Sequence, residues 1–198
     1  MSEEFFINRI NQLNNSNGIA FDIGANIGDY SRILSTKFST VYAFEPHPTN
    51  VSIIKNNTRP NIIVEEVAIS NTTGICKLFT QPDNLITGHS ISKDIIAHPN
   101  WQLDKKRYIE VPCITIDDFC VKNNITPSFI KCDIEGGEAF IWETAIETLK
   151  NNNVIIALEI HYGVNVDKLL KIFTDLKYNV TTDTPDWLSR HVWIDKQL

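Results

Sequence analysis

The 198-residue sequence predicts a single α/β domain: a mostly parallel sheet with helices on both faces. Three observations carry that prediction. Short apolar runs rich in Ile, Val and Phe alternate with helix-length segments, which is the pattern of βαβ units. The first run ends in a glycine-bearing turn, Asp22-Ile23-Gly24-Ala25-Asn26-Ile27-Gly28, that leads straight into a helical stretch. Polar residues able to do chemistry recur just beyond one run after another, where open α/β sheets bind their ligands.

The elements follow in order. Met1 to about residue 17 is amphipathic, with acids near its front, and reads as an N-terminal helical segment ahead of a domain over residues 18–198. It has neither the basic start nor the apolar stretch of a signal peptide. Gly18–Ile23 is the first strand, Gly28–Phe38 a helix, and Val41–Glu45 a second strand closed by Pro46 and Pro48. Asn50–Asn57 reads as a short helix and Asn61–Ala68 as a third strand. Ile75–Thr80 and Tyr108–Ile114 read as extended segments. Between them, Gln81–Arg107 is weakly periodic and broken by Pro82, Gly88 and Pro99. A stretch that long is expected to be a functional loop, here a lid with Trp101 as a closing aromatic. Thr115–Asn124 is helical, Ser128–Asp133 a fourth core strand, Glu138–Lys150 a helix, and Val154–Glu159 a fifth strand. Val166–Leu176 is a helix, and Tyr178–Thr182 and His191–Ile194 are late strands.

Composition narrows the function. Apolar residues make up 42% and charged ones 21%, the balance of an ordinary globular protein. A net charge of −6 argues against nucleic acid as a partner, since its binders usually present a basic face. No apolar run approaches the ~18–20 residues of a membrane span. Cys76, Cys113, Cys120 and Cys132 form no C-x-x-C pair, so neither a zinc site nor a disulfide framework is expected, and a cytoplasmic location is the default.

The strand ends hold the chemistry. After the first strand, Gly24 and Gly28 allow a ligand close to the backbone. The order is D-x-G-x-x-x-G rather than the G-x-G-x-x-G of a dinucleotide site. Asp22 would repel a pyrophosphate but suits a ligand with an amino group. Glu45 ends the second strand 21 residues beyond Gly24, the spacing of an acid that holds ribose hydroxyls. After the third strand, small Ala68 leaves room for a flat ring. The fourth ends in Lys131-Cys132-Asp133-Ile134-Glu135-Gly136-Gly137-Glu138, with Lys131, Asp133 and Glu135 on one face by alternation. A lysine in an apolar strand needs a partner. The fifth ends with Glu159 and His161 on one face, and a histidine beside a carboxylate is a credible general base.

These residues resemble the FkbM-type S-adenosylmethionine-dependent methyltransferases. The matching stretches are FDIGANIGDYS at Phe21–Ser31, FEPHPTN at Phe44–Asn50, VAIS at Val67–Ser70, GHSI at Gly88–Ile91, TIDDF at Thr115–Phe119, IKCDIEGGE at Ile130–Glu138 and LEIH at Leu158–His161. The resemblance implies a class I methyltransferase (Rossmann-like) fold, with seven strands in the order 3-2-1-4-5-7-6 and the seventh antiparallel. It implies S-adenosyl-L-methionine as cofactor and methyl transfer to a hydroxyl of a sugar, glycan or secondary metabolite. Cofactor-binding positions would be Asp22, Gly24, Ala25, Asn26, Gly28, Tyr30 and Ser31 at the methionine end. Glu45 and Pro46 would lie at the ribose, Val67 and Ala68 at the adenine, and Asp133 and Glu135 near the transferred methyl. The chain is short for the family, so the acceptor pocket is expected to be open or completed by a partner subunit in a homo-oligomer.

Methyl transfer is a displacement at a sulfonium carbon, so the protein must align the reactants and remove the acceptor's proton. Alignment can supply roughly 7–11 kcal/mol of the barrier, and a general base typically ~10²–10⁴-fold in rate. His161 is the first choice of base and Asp133 the second. No metal is expected; the alternative is Mg²⁺ on Asp133 and Glu159, which end adjacent strands. Two rival readings are a nicotinamide-dependent oxidoreductase, against which Asp22 and the missing G-x-G-x-x-G count, and a non-catalytic cofactor-binding domain.

Overall fold

A computed structural model describes residues 2–13, 15–81, 87–92, 107–182 and 189–196. The first half supplies α1 (Ser2–Gln12), β1 (Asn15–Ile23), α2 (Asp29–Leu34), β2 (Phe38–Phe44), α3 (Pro48–Asn56), β3 (Ile62–Glu65), β4 (Ala68–Ile69) and β5 (Gly74–Phe79). The second half supplies β6 (Tyr108–Ile114), α4 (Ile116–Asn123), β7 (Phe129–Cys132), α5 (Glu138–Ile141), α6 (Ile146–Asn151), β8 (Ile155–His161), α7 (Val166–Asp175), β9 (Asn179–Thr182) and β10 (Ser189–Asp195). Seven strands form one sheet in the order β3-β2-β1-β7-β8-β10-β9. The first five run parallel, and β10 lies antiparallel to both β8 and β9. This is the strand order and the antiparallel partner expected from the sequence. Strand order reverses at β1, so the ligand crevice belongs at the carboxyl ends of β1, β2 and β7.

Alternation along the strands feeds two cores. On one face Phe21, Ile23, Phe44 and Ile130 pack with Phe119 of α4, Trp142 and Phe173 of α7. Phe44 and Phe119 meet edge to face at 4.7 Å. On the other face Ala20, Val41, Phe129 and Trp193 pack under Leu34 of α2, Ile54 of α3, and Phe6 and Ile10 of α1. The N-terminal helix therefore seals one face of the sheet, and its Phe6 ring lies 4.9 Å from that of His191.

Several expected boundaries shift for physical reasons. The helix expected over 28–38 closes at Leu34, because Phe38 already pairs with Asn15 as the start of β2. The strand expected over 61–68 stops at Glu65; Ala68–Ile69 leaves to pair with Cys113–Ile114 in a second, three-stranded sheet, β4-β6-β5. The helix expected over 138–150 is cut into α5, a 3₁₀ turn at Trp142–Thr144, and α6. The cut has a cause in α4: the Asp117 carboxylate accepts from the Glu147 and Thr148 N–H groups and from the Thr148 hydroxyl, capping α6 through space. The fifth strand runs on to His161, which is its last residue rather than the one after it. Of the Gln81–Arg107 segment, Gln81, 87–92 and Arg107 are described; Pro82, Pro99 and Trp101 lie outside the described residues. Among the described residues no helix is long and apolar enough to cross a membrane.

Candidate active site

A cleft of about 600 Å³, partly open to solvent, lies over the carboxyl ends of β1, β2 and β7. Gly24 and Asn26 form its floor, Glu45, Pro46 and Asn50 one side, and Asp133 and Glu135 the other. Val67, Ala68, Ile69 and Leu78 supply an apolar wall. Gly88, His89 and Ile91 of the intervening segment reach it as well. The mixture of apolar walls with few polar groups is that of a small-molecule site.

The turn after β1 is built backbone to backbone. The Gly24 and Ala25 N–H groups both donate to the Phe44 carbonyl, at 3.1 and 3.0 Å. Gly24 sits at φ +76, and a Cβ there would lie 1.9 Å from the Asp133 carbonyl oxygen. The close approach that requires glycine is therefore to β7, not only to a ligand. Asn26, at φ +52, gives its N–H to Glu45 Oε2 at 2.8 Å, and the His47 N–H bonds to Glu45 Oε1 at 2.8 Å. Burial pushes the Glu45 carboxyl up to about 7, while the N–H groups of His47 and Asn26 pull it down. A carboxylate offers about four acceptor positions, so it can serve these two N–H groups and still meet hydroxyls from the cleft.

Behind the floor lies a charged pair. Asp22 is fully buried; it takes the Ser31 hydroxyl at 2.5 Å and faces Lys131 Nζ at 3.5 Å. Lys131 is the partnered strand lysine anticipated from the sequence. It also faces Asp133 at 3.5 Å, donates to the Gly24 carbonyl at 3.1 Å, and lies 5.1 Å from the Tyr30 ring. Burial alone would lower its pKa, but Asp133 and Asp22 raise it, so it stays charged.

At the β7 and β8 ends a second cluster forms. His161 Nε2 is 3.3 Å from Glu135 Oε2 and 3.6 Å from Asp133 Oδ1. Its Nδ1 is 2.5 Å from Glu138 Oε1, which also accepts the His161 N–H at 3.0 Å. Glu138 is fully buried, and its other oxygen takes the Gly136 N–H at 2.7 Å. Burial would lower the His161 pKa, but the charge and hydrogen bond of Glu138, with Asp133 and Glu135, raise it to about 10. Glu159 turns to His191 at 3.4 Å; burial pushes its carboxyl up, but the His191 hydrogen bond and the nearby cations bring it to about 2.

Of the residues expected from the sequence, Gly24, Asn26, Glu45, Pro46, Val67, Ala68, Asp133 and Glu135 line the cleft together. Asp22 and Ser31 are bonded to each other below it, Tyr30 stands beside Lys131, and Ala25 and Gly28 shape the turn. A family model of the methyltransferase FkbM domain matches residues 22–180. The chain belongs to the FkbM methyltransferase family. Among curated proteins it is 24% identical over 163 residues to the hexuronic acid methyltransferase AglP of Haloferax volcanii, covering 80% of this chain and 62% of that one. The chain thus spans about three fifths of that relative's length. Among solved structures, an FkbM methyltransferase from Methylobacillus flagellatus aligns with a TM-score of 0.61 at 20% identity, over 93% of this chain and 45% of that chain. A Streptococcus mutans protein described as a methyltransferase, solved with S-adenosylhomocysteine, aligns at 0.57 and 12% identity, over 100% and 98%. Both structures support the fold.

In this FkbM protein three cleft or cluster residues escape the strand-end logic. Asn50 stands in α3 and bonds Asn26 Oδ1 at 3.2 Å. His89 stacks on His47 at 4.1 Å, and burial, with His47 and Arg107, lowers its pKa to about 4. Glu138 closes the run that holds Asp133 and Glu135, and its turn inward to His161 is not visible from that run's alternation. Asn50 and His89 sit inside FEPHPTN and GHSI, so the motifs were the available signal.

Proposed function

We propose that this chain binds S-adenosylmethionine in the cleft and directs its methyl group to an oxygen of a sugar, most naturally a hydroxyl of a sugar acid. One observation carries the cofactor reading: Glu45, a buried carboxylate with acceptor capacity to spare, faces the cleft between the Gly24 turn and the apolar Val67–Ile69 wall. That is the layout a nucleoside needs, with hydroxyls at the acid and the base against apolar surface. The sugar reading draws on the relative that acts on a hexuronic acid. When bound, the cofactor supplies an activated methyl on a sulfonium.

The protein's own residues do the rest. The turn from Gly24 to Asn26 fixes one end of the cleft, and Glu45 orients the nucleoside. Asp133 and Glu135 receive the acceptor's hydroxyl. His161, the base expected from the sequence, has Nδ1 committed to Glu138, and its Nε2 faces the carboxylates of Glu135, Asp133 and Glu159. It holds Asp133 and Glu135 in place, and a carboxylate takes the proton. Lys131 sets the position of Asp133 from below.

The deciding experiment incubates the protein with methyl-labelled S-adenosylmethionine and either a hexuronic acid-bearing or a neutral oligosaccharide. Labelled methyl ether on the acidic sugar is expected. A methyl lost on mild alkaline treatment is an ester and would move the acceptor atom to the carboxylate. Cofactor binding without transfer to either sugar would overturn the acceptor assignment.

Glu45 also gives a pH dependence. Its folded carboxyl is raised, so its contribution to ligand-free stability is present below its ordinary 4.5 and lost as pH rises through about 7. Ribose hydroxyls donate to the ionised form, so the sign for binding is opposite. Cofactor affinity should rise between pH 6 and pH 8, with proton release visible as a buffer-dependent heat. Glu45→Gln should weaken binding at least ~tenfold, given ~1.5–3 kcal/mol per charged hydrogen bond, and flatten the pH profile. Equal affinity in the variant would end the ribose assignment.

A further inference from the structure

Asp133, Glu135 and His161 present one ligand atom each within 4.8 Å of one another. We infer that they form a site for a divalent transition-metal ion at the β7–β8 edge of the cleft. The spacings fit. Metal–ligand bonds near ~2.1 Å place neighbouring ligand atoms ~3.0 Å apart in an octahedron and ~3.4 Å apart in a tetrahedron. His161 Nε2 stands 3.3 Å from Glu135 Oε2 and 3.6 Å from Asp133 Oδ1.

The surroundings of the histidine point the same way, independently of the spacing. A metal-binding imidazole almost always gives its other ring N–H to a carboxylate, which fixes the tautomer and the ring plane. Here Nδ1 lies 2.5 Å from Glu138, a fully buried acid. An ion bound here would displace the Nε2 proton, leaving the other on Nδ1 beside Glu138 and the Nε2 lone pair facing the ion between Asp133 and Glu135. Glu138 also binds the Gly136 N–H next to Glu135, so one carboxylate positions ligands from two different strand ends. The Ser90 hydroxyl holds the Glu135 carbonyl at 2.7 Å from the other side. One nitrogen with two carboxylate oxygens suits Mn²⁺, Fe²⁺ or Zn²⁺ better than Mg²⁺ or Ca²⁺, which favour oxygen alone. The set differs from the Asp133–Glu159 pair considered from the sequence: Glu159 puts Oε2 3.4 Å from His191 and Oε1 3.9 Å from His161 Nε2, farther than either carboxylate of the set.

Each carboxylate uses one oxygen for the ion, so the other can still accept the acceptor's hydroxyl. The ion also resolves a conflict of charge. Glu45, Asp133 and Glu135 line the cleft, and each of them that is ionised would repel a sugar acid. A divalent cation at its edge reverses that locally; this consequence rests on the sugar-acid reading, whereas ion binding itself does not.

The test is titration of chelator-treated, full-length protein with Mn²⁺, without cofactor or sugar, followed by the loss of the free-ion resonance. One saturable site per chain is expected, with nitrogen coupling in the bound-ion spectrum. His161→Gln should remove the nitrogen coupling. Glu135→Gln should weaken binding at least ~tenfold, and Glu138→Gln ~10- to 100-fold through the imidazole. Glu143→Gln, in the exposed pair with Lys168, should change nothing. Circular dichroism identifies any variant that fails to fold, and the nitrogen coupling of the wild type then decides alone. Absence of a saturable site, or a site without nitrogen coupling, would overturn the inference and leave a protonated His161 bridging the two carboxylates. A Mn²⁺ site with no preference for the acidic sugar would refute the charge argument alone.

Discussion

Gly24→Ala should unfold much of the protein, and the fraction that folds should not bind the cofactor. The added Cβ would sit 1.9 Å from the Asp133 carbonyl oxygen and 2.9 Å from its carbon, at φ +76. Neither strand can yield cheaply. The Asp133 N–H bonds the Ile23 carbonyl at 3.1 Å, and the Gly24 and Ala25 N–H groups are both anchored to Phe44. Opening the β1–β7 seam loses those bonds and moves both sides of the cleft. A cost of ~4 kcal/mol or more is expected, because a backbone clash joins left-handed strain. For a chain of this size that is a drop in Tm of roughly 8–16 °C. A variant with wild-type Tm would show that the seam gives way. From the sequence alone, glycine here serves a ligand; the structure adds a neighbour strand that tolerates no side chain whether or not a ligand is bound.

Lys131→Met should be nearly as damaging, through charge rather than bulk. The methionine fills the apolar part of the space, but Asp22, fully buried, keeps only its Ser31 hydroxyl, and Asp133 loses its cation. Removing one partner of a buried ion pair typically costs ~3–5 kcal/mol. The loss should be smaller at pH 5 than at pH 8, since protonation discharges a stranded carboxyl. Adding Asp22→Asn to the variant should recover part of the stability. Thermal unfolding of the two variants at both pH values checks this; equal losses at pH 5 and pH 8 would show that packing, not charge, is at stake.

The sheet was legible because its strands are short apolar runs punctuated by glycine, proline and asparagine, and because the family motifs fall at their ends. Glu45 was legible from spacing, and Lys131 from the improbability of a bare lysine in an apolar strand. What escaped depends on contacts across the chain. Asp117 caps a helix thirty residues on, so no local pattern announces the break at Ala145. Ala68 and Ile69 change sheets because β6 offers them a partner. Asp22 reads as a ligand residue in sequence, and the fold adds that it is buried, with Oδ2 on the Ser31 hydroxyl and Oδ1 3.5 Å from Lys131. His161 reads as a base from its place beside Glu159, and the hold of Glu138 on its ring is visible only in the fold.

The two ends of the segment from Thr80 to Arg107 meet: the Thr80 N–H bonds the Arg107 carbonyl at 3.1 Å. Its two ends are clasped by the β5–β6 ladder, whatever lies between them. Closure entropy grows slowly, by about 0.6 kcal/mol for each doubling of loop length. Length alone is therefore a small demand, but Ser90 is tied at both faces: it exchanges two backbone bonds with Phe79, and its hydroxyl donates to the Glu135 carbonyl. Gly88, His89 and Ile91, which the segment carries, stand in the cleft wall. For the engineer the segment is thus partly frame: Ser90 and Ile91 belong with the sheet and the β7 end, and Gly88 and His89 are the positions where the cleft wall could be varied.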